Sequence, residues 1–368
     1  MSLVKIVVSL TILIAISLPA KAQNYRLETI SDGLDYPWSV AFLPSGNFLV
    51  SFLGGELREI SVQGDVGQAI ENLPSTYRAS QGGFFDVVLD PNFQSNRRIY
   101  LAFAHGTAKQ NGTRVISARY DGSKLVDARP IFTVKNNKDT PVHYGGRLLF
   151  MQDGTLLLTT GDGFNYRETA QDPFSQMGKI VRMNKDGSVP ADNPFADGQH
   201  ADPYVYTLGH RNPQGLTYDS ISNTIYMHEH GPRGGDEVNT VKAGDNYGWP
   251  VTTDGVNYSG AKISPFRELE GITAPTQVWT PSVAPSGMAY YSGTKFSKWR
   301  NSLFVGTLVN KDVRRLQLEQ GKVVGEQILF SEIDQRIRDV RTGPDGLLYL
   351  LTEDPAGGNG QLIRVSPK

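Results

Sequence analysis

Leu148-Leu149-Phe150, then Gln152-Asp153-Gly154-Thr155, then Leu156-Leu157-Leu158, reads as two short apolar strands joined by a polar turn of the kind that Asp-Gly favours. The pattern recurs along the chain. Ala41-Phe42-Leu43 runs through Pro44-Ser45-Gly46-Asn47 into Phe48-Leu49-Val50, and Val87-Val88-Leu89 passes Asp90-Pro91-Asn92 on the way to Ile99-Tyr100-Leu101. Leu216-Thr217-Tyr218 turns around Asp219 into Ile225-Tyr226-Met227, and Ala289-Tyr290-Tyr291 turns around Gly293 into Leu303-Phe304-Val305. Val340 leads through Pro344-Asp345-Gly346 into Leu348-Tyr349-Leu350, the sixth copy. The turns are 45 to 74 residues apart, and six copies in the 346 residues after the N-terminal signal leave about 58 each, which is room for four short strands and one long loop, the size of a propeller blade. Two sandwich domains would need a linker, and no Pro/Ser-rich or charged linker interrupts the chain. The expected fold is all-β: one six-bladed β-propeller with four-stranded antiparallel blades.

The composition narrows the function. The 368 residues carry 36 Lys plus Arg against 37 Asp plus Glu, so no long-range field favours nucleic acid or anionic lipid. There is no Cys, which excludes disulfides, thiolate metal sites, covalent haem attachment and a cysteine nucleophile. Lys5, the apolar run Ile6 to Leu18 and the small-x-small triplet Ala20-Lys21-Ala22 read as a secretory signal over residues 1–22. The run is too short to be favoured as a membrane span. Its removal leaves a propeller over residues 23–368, periplasmic or secreted, with no membrane insertion.

Less ordinary side chains gather just before the turns. Gln81, His143, Arg211, Ser282 and Arg336 stand eight to eleven residues ahead of Asp90, Asp153, Asp219, Gly293 and Asp345. In an antiparallel hairpin that offset places them at the far end of the strand, roughly 25 Å from the turn. Five blades would thus bring amide, imidazole, hydroxyl and guanidinium groups to one mouth of the central channel. Strand starts that merely meet water would be more mixed and less often flanked by glycines, which let a backbone approach a ligand.

Gln81-Gly82-Gly83, His143-Tyr144-Gly145-Gly146 and Gly209-His210-Arg211-Asn212-Pro213-Gln214-Gly215 resemble the soluble glucose/sorbosone dehydrogenases, in particular the periplasmic aldose sugar dehydrogenases that use pyrroloquinoline quinone (PQQ). Glu229-His230-Gly231-Pro232, Asp236-Glu237, Asn246-Tyr247-Gly248-Trp249-Pro250, Val283-Ala284-Pro285-Ser286 and Arg336-Ile337-Arg338-Asp339-Val340 extend the resemblance over nearly the whole mature chain. The resemblance implies that His143 is the base and that Gln81 and Asn212 hold the quinone. It places Arg211 at the reactive carbonyls, Arg336 and Arg338 at the cofactor carboxylates, and Ser282 at a cofactor-contacting hydroxyl position. It also implies that the carbonyls of Gly231 and Pro232 ligate a calcium ion (Ca2+) under the cofactor, with a second, structural calcium near Glu237 and Tyr247. The substrate would be an aldose oxidised at C1 to a lactone, with electrons leaving to an external acceptor.

These residue types suit that chemistry. Taking a hydroxyl proton while hydride leaves carbon calls for an imidazole near neutral pH. An oxyanion forming on a quinone carbonyl is met by calcium and guanidinium. A tricarboxylate calls for fixed cationic forks, and arginines two apart on a strand share a face. Calcium takes oxygen ligands, including carbonyls.

Other residues read more plainly. His228 and His230 lack a third zinc ligand and are taken as structural or supporting. Arg147, Arg182 and Arg233 carry no motif and are expected to be solvated or paired locally. Trp249 and Trp279 suit blade packing, or a Trp near the mouth could stack on a sugar. The chain departs from its relatives at Val309, where a cofactor-binding lysine is common and Lys311 could substitute. It departs again at Ser51-Phe52-Leu53-Gly54-Gly55, where a more polar stretch is usual. A calcium-dependent propeller lactonase and a non-catalytic ligand-binding propeller are the alternative readings. A lactonase would hold its calcium with several carboxylates and amides and has no need of paired arginines.

Overall fold

The computed structural model describes residues 24–135, 137–219 and 221–368; the expected signal over 1–22 lies outside the described residues. These residues form six four-stranded antiparallel sheets, the six blades of the expected propeller. Each of the six hairpins read from the sequence joins the first strand of a blade to the second. The first strands are Pro37–Phe42, Phe84–Leu89, Leu148–Phe150, Pro213–Asp219, Pro285–Tyr291 and Arg336–Thr342, and they stand side by side around the axis. Five blades use four strands in sequence order. The sixth takes Arg336–Thr342, Leu348–Glu353 and Gly360–Pro367 from the C-terminus and closes with Tyr25–Leu34 from the N-terminal end, from Tyr25 opposite Pro367 to Leu34 opposite Gly360. Nothing in the hairpin repeat announced this closure, because the strand that makes it lies upstream of the first copy.

The opening hairpin shows how local chemistry sets the register. Leu148, Leu149 and Phe150 pair with Leu158, Leu157 and Leu156. Between them the Met151 N–H donates to the Thr155 carbonyl at 2.9 Å, the Gly154 N–H to the Met151 carbonyl at 3.0 Å, and the Asp153 carboxylate accepts the Thr155 N–H at 2.8 Å. Gly154 has φ +83°, a conformation that costs glycine little and other residues much.

Leu156–Thr159 is buried at every position, which explains why the strands read as unbroken apolar runs instead of alternating ones. Leu156 and Leu158 pack toward the second blade with Phe85 and Tyr100, whereas Leu157 packs toward the fourth with Leu216 and Ile225. Six apolar clusters arise this way among the described residues, one at each junction of neighbouring blades. No helix among the described residues is long and apolar enough to cross a membrane.

The axis is closed by charge. Arg147, 2% exposed, sets Nη1 3.0 Å from Asp339 Oδ1, while Arg341 donates to Asp86 at 2.7 Å and to Asp339 at 2.8 Å. The Arg147 guanidinium also lies 4.1 Å from the centroid of the Trp38 ring. Burial pushes Arg147 down to about 10 against the pull of Asp339 and Asp86. The expectation of a solvated or locally paired Arg147 is therefore corrected: it is buried and ties the third blade to the sixth. The network gives the channel mouth a floor.

Candidate active site

The ends of the first strands opposite the hairpin turns surround a cavity of about 360 Å³. Gln81, His143, Arg211, Asn212, Arg336 and Arg338, from blades that are distant in sequence, all line it. All but Arg336 and Arg338 come from the loops that lead into those strands, and these two lie on the strand Arg336–Thr342 itself.

His143 sits at φ +53° and is 5% exposed, an unusual conformation for a side chain held at a site. Its backbone N–H donates to Gln81 Oε1 at 2.9 Å, and its Nδ1 lies 2.7 Å from Asp162 Oδ1. A carboxylate only accepts, so Nδ1 carries the hydrogen and Nε2 keeps the lone pair. Asp162 is itself fixed: the Phe164 N–H donates to Oδ1 at 2.8 Å and the Trp249 indole N–H to Oδ2 at 2.7 Å. Burial lowers the His143 proton affinity, the hydrogen bond and charge of Asp162 raise it, and the Arg211 and Lys138 charges lower it again. The balance lies below the ordinary imidazole value. At neutral pH the imidazole is thus an uncharged acceptor.

Arg211 and Asn212 are held by their neighbours. Glu229 accepts the Arg211 backbone N–H and lies 3.0 Å from His210 Nδ1. The Arg211 side chain donates to the carbonyls of His230 at 3.1 Å and Gly231 at 2.7 Å, with its guanidinium 5.4 Å from the Trp249 ring centroid. Asn212 Oδ1 accepts the Gly145 N–H at 3.1 Å, which binds the fourth blade's entry loop to that of the third. Arg336 and Arg338 converge on Glu353: Oε1 accepts from both, each at 2.8 Å, and Oε2 accepts Arg338 Nε at 2.7 Å. Burial pushes the Glu353 carboxyl up, but Arg338 and Arg336 outweigh it and leave the group below its ordinary range.

The remaining sequence-predicted residues lie elsewhere. Ser282 gives its hydroxyl to Asp236 at 2.6 Å; Ala284 from the same segment lines the cavity instead. The Gly231 carbonyl faces Arg211, and Pro232 borders an adjoining cleft of about 270 Å³ with Phe164, Trp249 and Tyr258. Glu237 stands opposite Glu229. Burial and then the Glu229 charge push its carboxyl well above the usual range. Tyr247 is buried with its ring stacked on His210.

These donors suit calcium better than a softer metal. No cluster of three or more His, Cys, Asp or Glu exists among the described residues, so a cation would depend on carbonyl oxygens. Around Gly231 they are crowded: a Cβ there would come within 2.3 Å of the carbonyl oxygens of both Gly234 and Gly235. Beside Glu237 the Asn239 Oδ1 is buried with no donor. The cavity suits a polyanion by its three arginines against one glutamate.

Several residues of the site were not singled out in the sequence: Glu353, Tyr258 and Gln214, which line the cavity, and Asp162, buried behind His143. Asp162 had a signal in Gly161-Asp162-Gly163, a carboxylate between glycines just past the strand Leu156–Thr159. His230 lines the cavity, and among the described residues its buried Nε2 has no hydrogen-bond partner; His228 lies deeper, neither ring nitrogen hydrogen-bonded among those residues, and burial drives it down to about 3. Trp249 neither fills a blade nor faces outward but holds Asp162. Val309 is 62% exposed, and Lys311 pairs with Asp334 at 2.9 Å away from the cavity. The cavity's fixed cations are therefore Arg211, Arg336 and Arg338. Leu53, from the altered first-blade stretch, presents an apolar wall.

Known proteins share this arrangement of the chain. The family described as glucose/sorbosone dehydrogenase matches residues 34–364. The aldose sugar dehydrogenase YliI of Escherichia coli strain K12 is 41% identical over 355 residues, covering 95% of this chain and 95% of the relative. The crystal structure of the soluble aldose sugar dehydrogenase of Escherichia coli in its apo form has a TM-score of 0.89 at 40% identity, covering 94% of this chain and all of that one. The PQQ-bound aldose sugar dehydrogenase of Streptomyces coelicolor has a TM-score of 0.77 at 27% identity, covering 96% of this chain and all of that one. A family match that runs through all six blades, and a relative this similar from end to end, settle the question that the mouth of the propeller raised: the chain belongs to the glucose/sorbosone dehydrogenase family.

Proposed function

We propose that the protein oxidises aldose sugars at the C1 hydroxyl to lactones, with PQQ as the hydride acceptor and an external carrier taking the electrons. The observation that carries this reading is that His143, backed by the buried Asp162, lines the same cavity as Arg211, Arg336 and Arg338. His143 Nε2 takes the proton of the sugar hydroxyl, and Asp162 fixes the tautomer and stabilises the imidazolium that results. PQQ, when bound, would supply the two-electron acceptor, and the carbonyls of Gly231 and Pro232 would hold a calcium ion whose charge favours reduction of the quinone. Arg211 presents its guanidinium where negative charge develops. Arg336 and Arg338, pre-set by Glu353, bind the cofactor carboxylates through their remaining N–H groups. Gln81 and Asn212 fix the segment that carries His143 through its backbone. Glu237 and the segment around Tyr247 would contribute to a second, structural calcium site.

Residues 1–22 act as a signal peptide, and the mature propeller works in the periplasm. The lactonase reading loses ground because the mouth holds three arginines, which a hydrolase of neutral lactones has no use for. The test is reconstitution: chelator-treated protein is given PQQ and calcium and assayed for aldose-dependent dye reduction. Activity that needs both additions supports the reading. Lactone hydrolysis with calcium alone would replace it.

A further inference from the structure

Lys138 stands behind the base, not in the cavity. It is 4% exposed. Its ammonium donates to Asn111 Oδ1 at 3.1 Å and to the Thr140 carbonyl, and lies 3.5 Å from the Tyr144 ring centroid. Among the described residues these direct contacts include no carboxylate, so the buried ammonium has no ion-pair partner in contact with it. That is an expensive arrangement unless the charge has a use.

The side chain touches both segments that make the His143–Asp162 pair. Asn111 Oδ1 also accepts the Tyr144 hydroxyl at 2.7 Å, and the backbones of Asn111 and Lys138 exchange two hydrogen bonds. These contacts pin the stretch from Lys138 to Tyr144, which carries His143. On the other side the Lys138 stem lies against Gly163: a Cβ there would sit 2.7 Å from Lys138 Cδ, and the Gly163 carbonyl accepts the Thr140 hydroxyl at 2.6 Å. Gly163 follows Asp162 directly. The close approach requires glycine at φ +72°.

The charges facing this ammonium are Asp162 and Asp139, which favour its protonated form against burial; the outcome is about 7. The Lys138 charge in turn opposes protonation of His143, as does that of Arg211.

We propose that Lys138 is a positioning residue for the His143–Asp162 pair, clamping their two segments together and setting a positive charge behind them. This rests on His143 acting as the base. A base that is charged before substrate binds cannot accept a proton, and a nearby cation protects its neutral form.

Three variants of the reconstituted holoenzyme separate the contributions. Lys138→Arg keeps the charge, Lys138→Gln keeps a donor without the charge, and Lys138→Met loses both. The first readout is the titration of the His143 imidazole by NMR with labelled histidine, its resonance assigned by its loss in His143→Gln. The second is the pH profile of kcat/KM. In the Gln and Met variants the His143 titration and the acid limb should both move up by about one pH unit, the scale expected for losing one charge at a partly buried site. In the Arg variant both should stay in place. Should Lys138→Met not fold, the Gln variant decides. A His143 titration that stays put in folded Lys138→Gln overturns the proposal. Normal turnover of His143→Gln would instead defeat the base reading, while the NMR titration still decides whether Lys138 acts on His143.

Discussion

Replacing Asp162 by Asn changes one atom and reverses the hydrogen bonding behind the base. Both carboxylate oxygens are engaged, Oδ1 with His143 Nδ1 at 2.7 Å and the Phe164 N–H at 2.8 Å, Oδ2 with the Trp249 indole N–H at 2.7 Å. An amide has one oxygen for these two places. If it stays toward Trp249, the NH2 faces the Phe164 N–H and His143, and the imidazole must move its hydrogen to Nε2, where it can no longer accept a proton. If it faces His143, the amide NH2 opposes the indole N–H. Either way at least one buried donor goes unmatched, at a cost of about 1–3 kcal/mol. Turnover should fall by about 10³–10⁴, through the wrong tautomer in the first orientation and through loss of the charge that stabilises the imidazolium in the second. The assay is dye reduction by PQQ-loaded protein at saturating aldose, with cofactor affinity and melting measured alongside. Folded, loaded Asp162→Asn working within threefold of the unaltered enzyme would refute the role of Asp162.

Arg336→Ala or Arg338→Ala should weaken PQQ binding by about 2–5 kcal/mol in a spectral titration, since each removes the partner of a desolvated carboxylate, and Val309→Lys should tighten it. Unchanged affinity in both arginine variants would remove them from the site. Glu237 carries a carboxyl well above the ordinary value, so the calcium-free fold is favoured while that group is protonated, and stability falls as pH rises from the unfolded value toward the folded one. Calorimetry of chelated protein should show this decline in melting temperature above about pH 4.5, abolished by calcium or by Glu237→Gln. Arg147→Met should cost about 3–5 kcal/mol in denaturant unfolding, because Asp86 and Asp339 then share only Arg341 deep in the axis; a loss below about 1 kcal/mol would contradict a stabilising role for this charge network.

The hairpins were legible because each turn carries its own chemistry: Gly154 and its Asp153 partner fix the Leu148–Leu158 pairing without help from the rest of the chain. The mouth was legible for the same reason, since strand polarity sends Gln81, His143, Arg211 and Arg336 to one end once the blades are drawn. What stayed hidden depends on contacts between segments that lie apart in the sequence. Asp162 lies 19 residues past His143; Gly161-Asp162-Gly163 marks it as a carboxylate between glycines, but only folding shows that its partner is His143. Glu353 and Lys138 look like surface charges in a sequence and are committed to Arg336, Arg338 and Asn111 by folding. Ser282 looked suited to a ligand, but Asp236, 46 residues earlier, takes its hydroxyl. Arg147 carried no motif because its partners come from the second and sixth blades.

The central claim is that His143 is the base of a PQQ-dependent sugar oxidation, and the most direct measurement is aldose-dependent reduction of a dye by reconstituted protein and by its His143→Gln variant. With PQQ and calcium the unaltered protein should turn over, its kcat/KM rising with pH through an ionisation below the ordinary imidazole value of about 6.5. His143→Gln should bind the cofactor with nearly unchanged affinity, melt near the normal temperature and lose about 10²–10⁴ in turnover. Normal turnover in folded, PQQ-loaded His143→Gln would contradict the account.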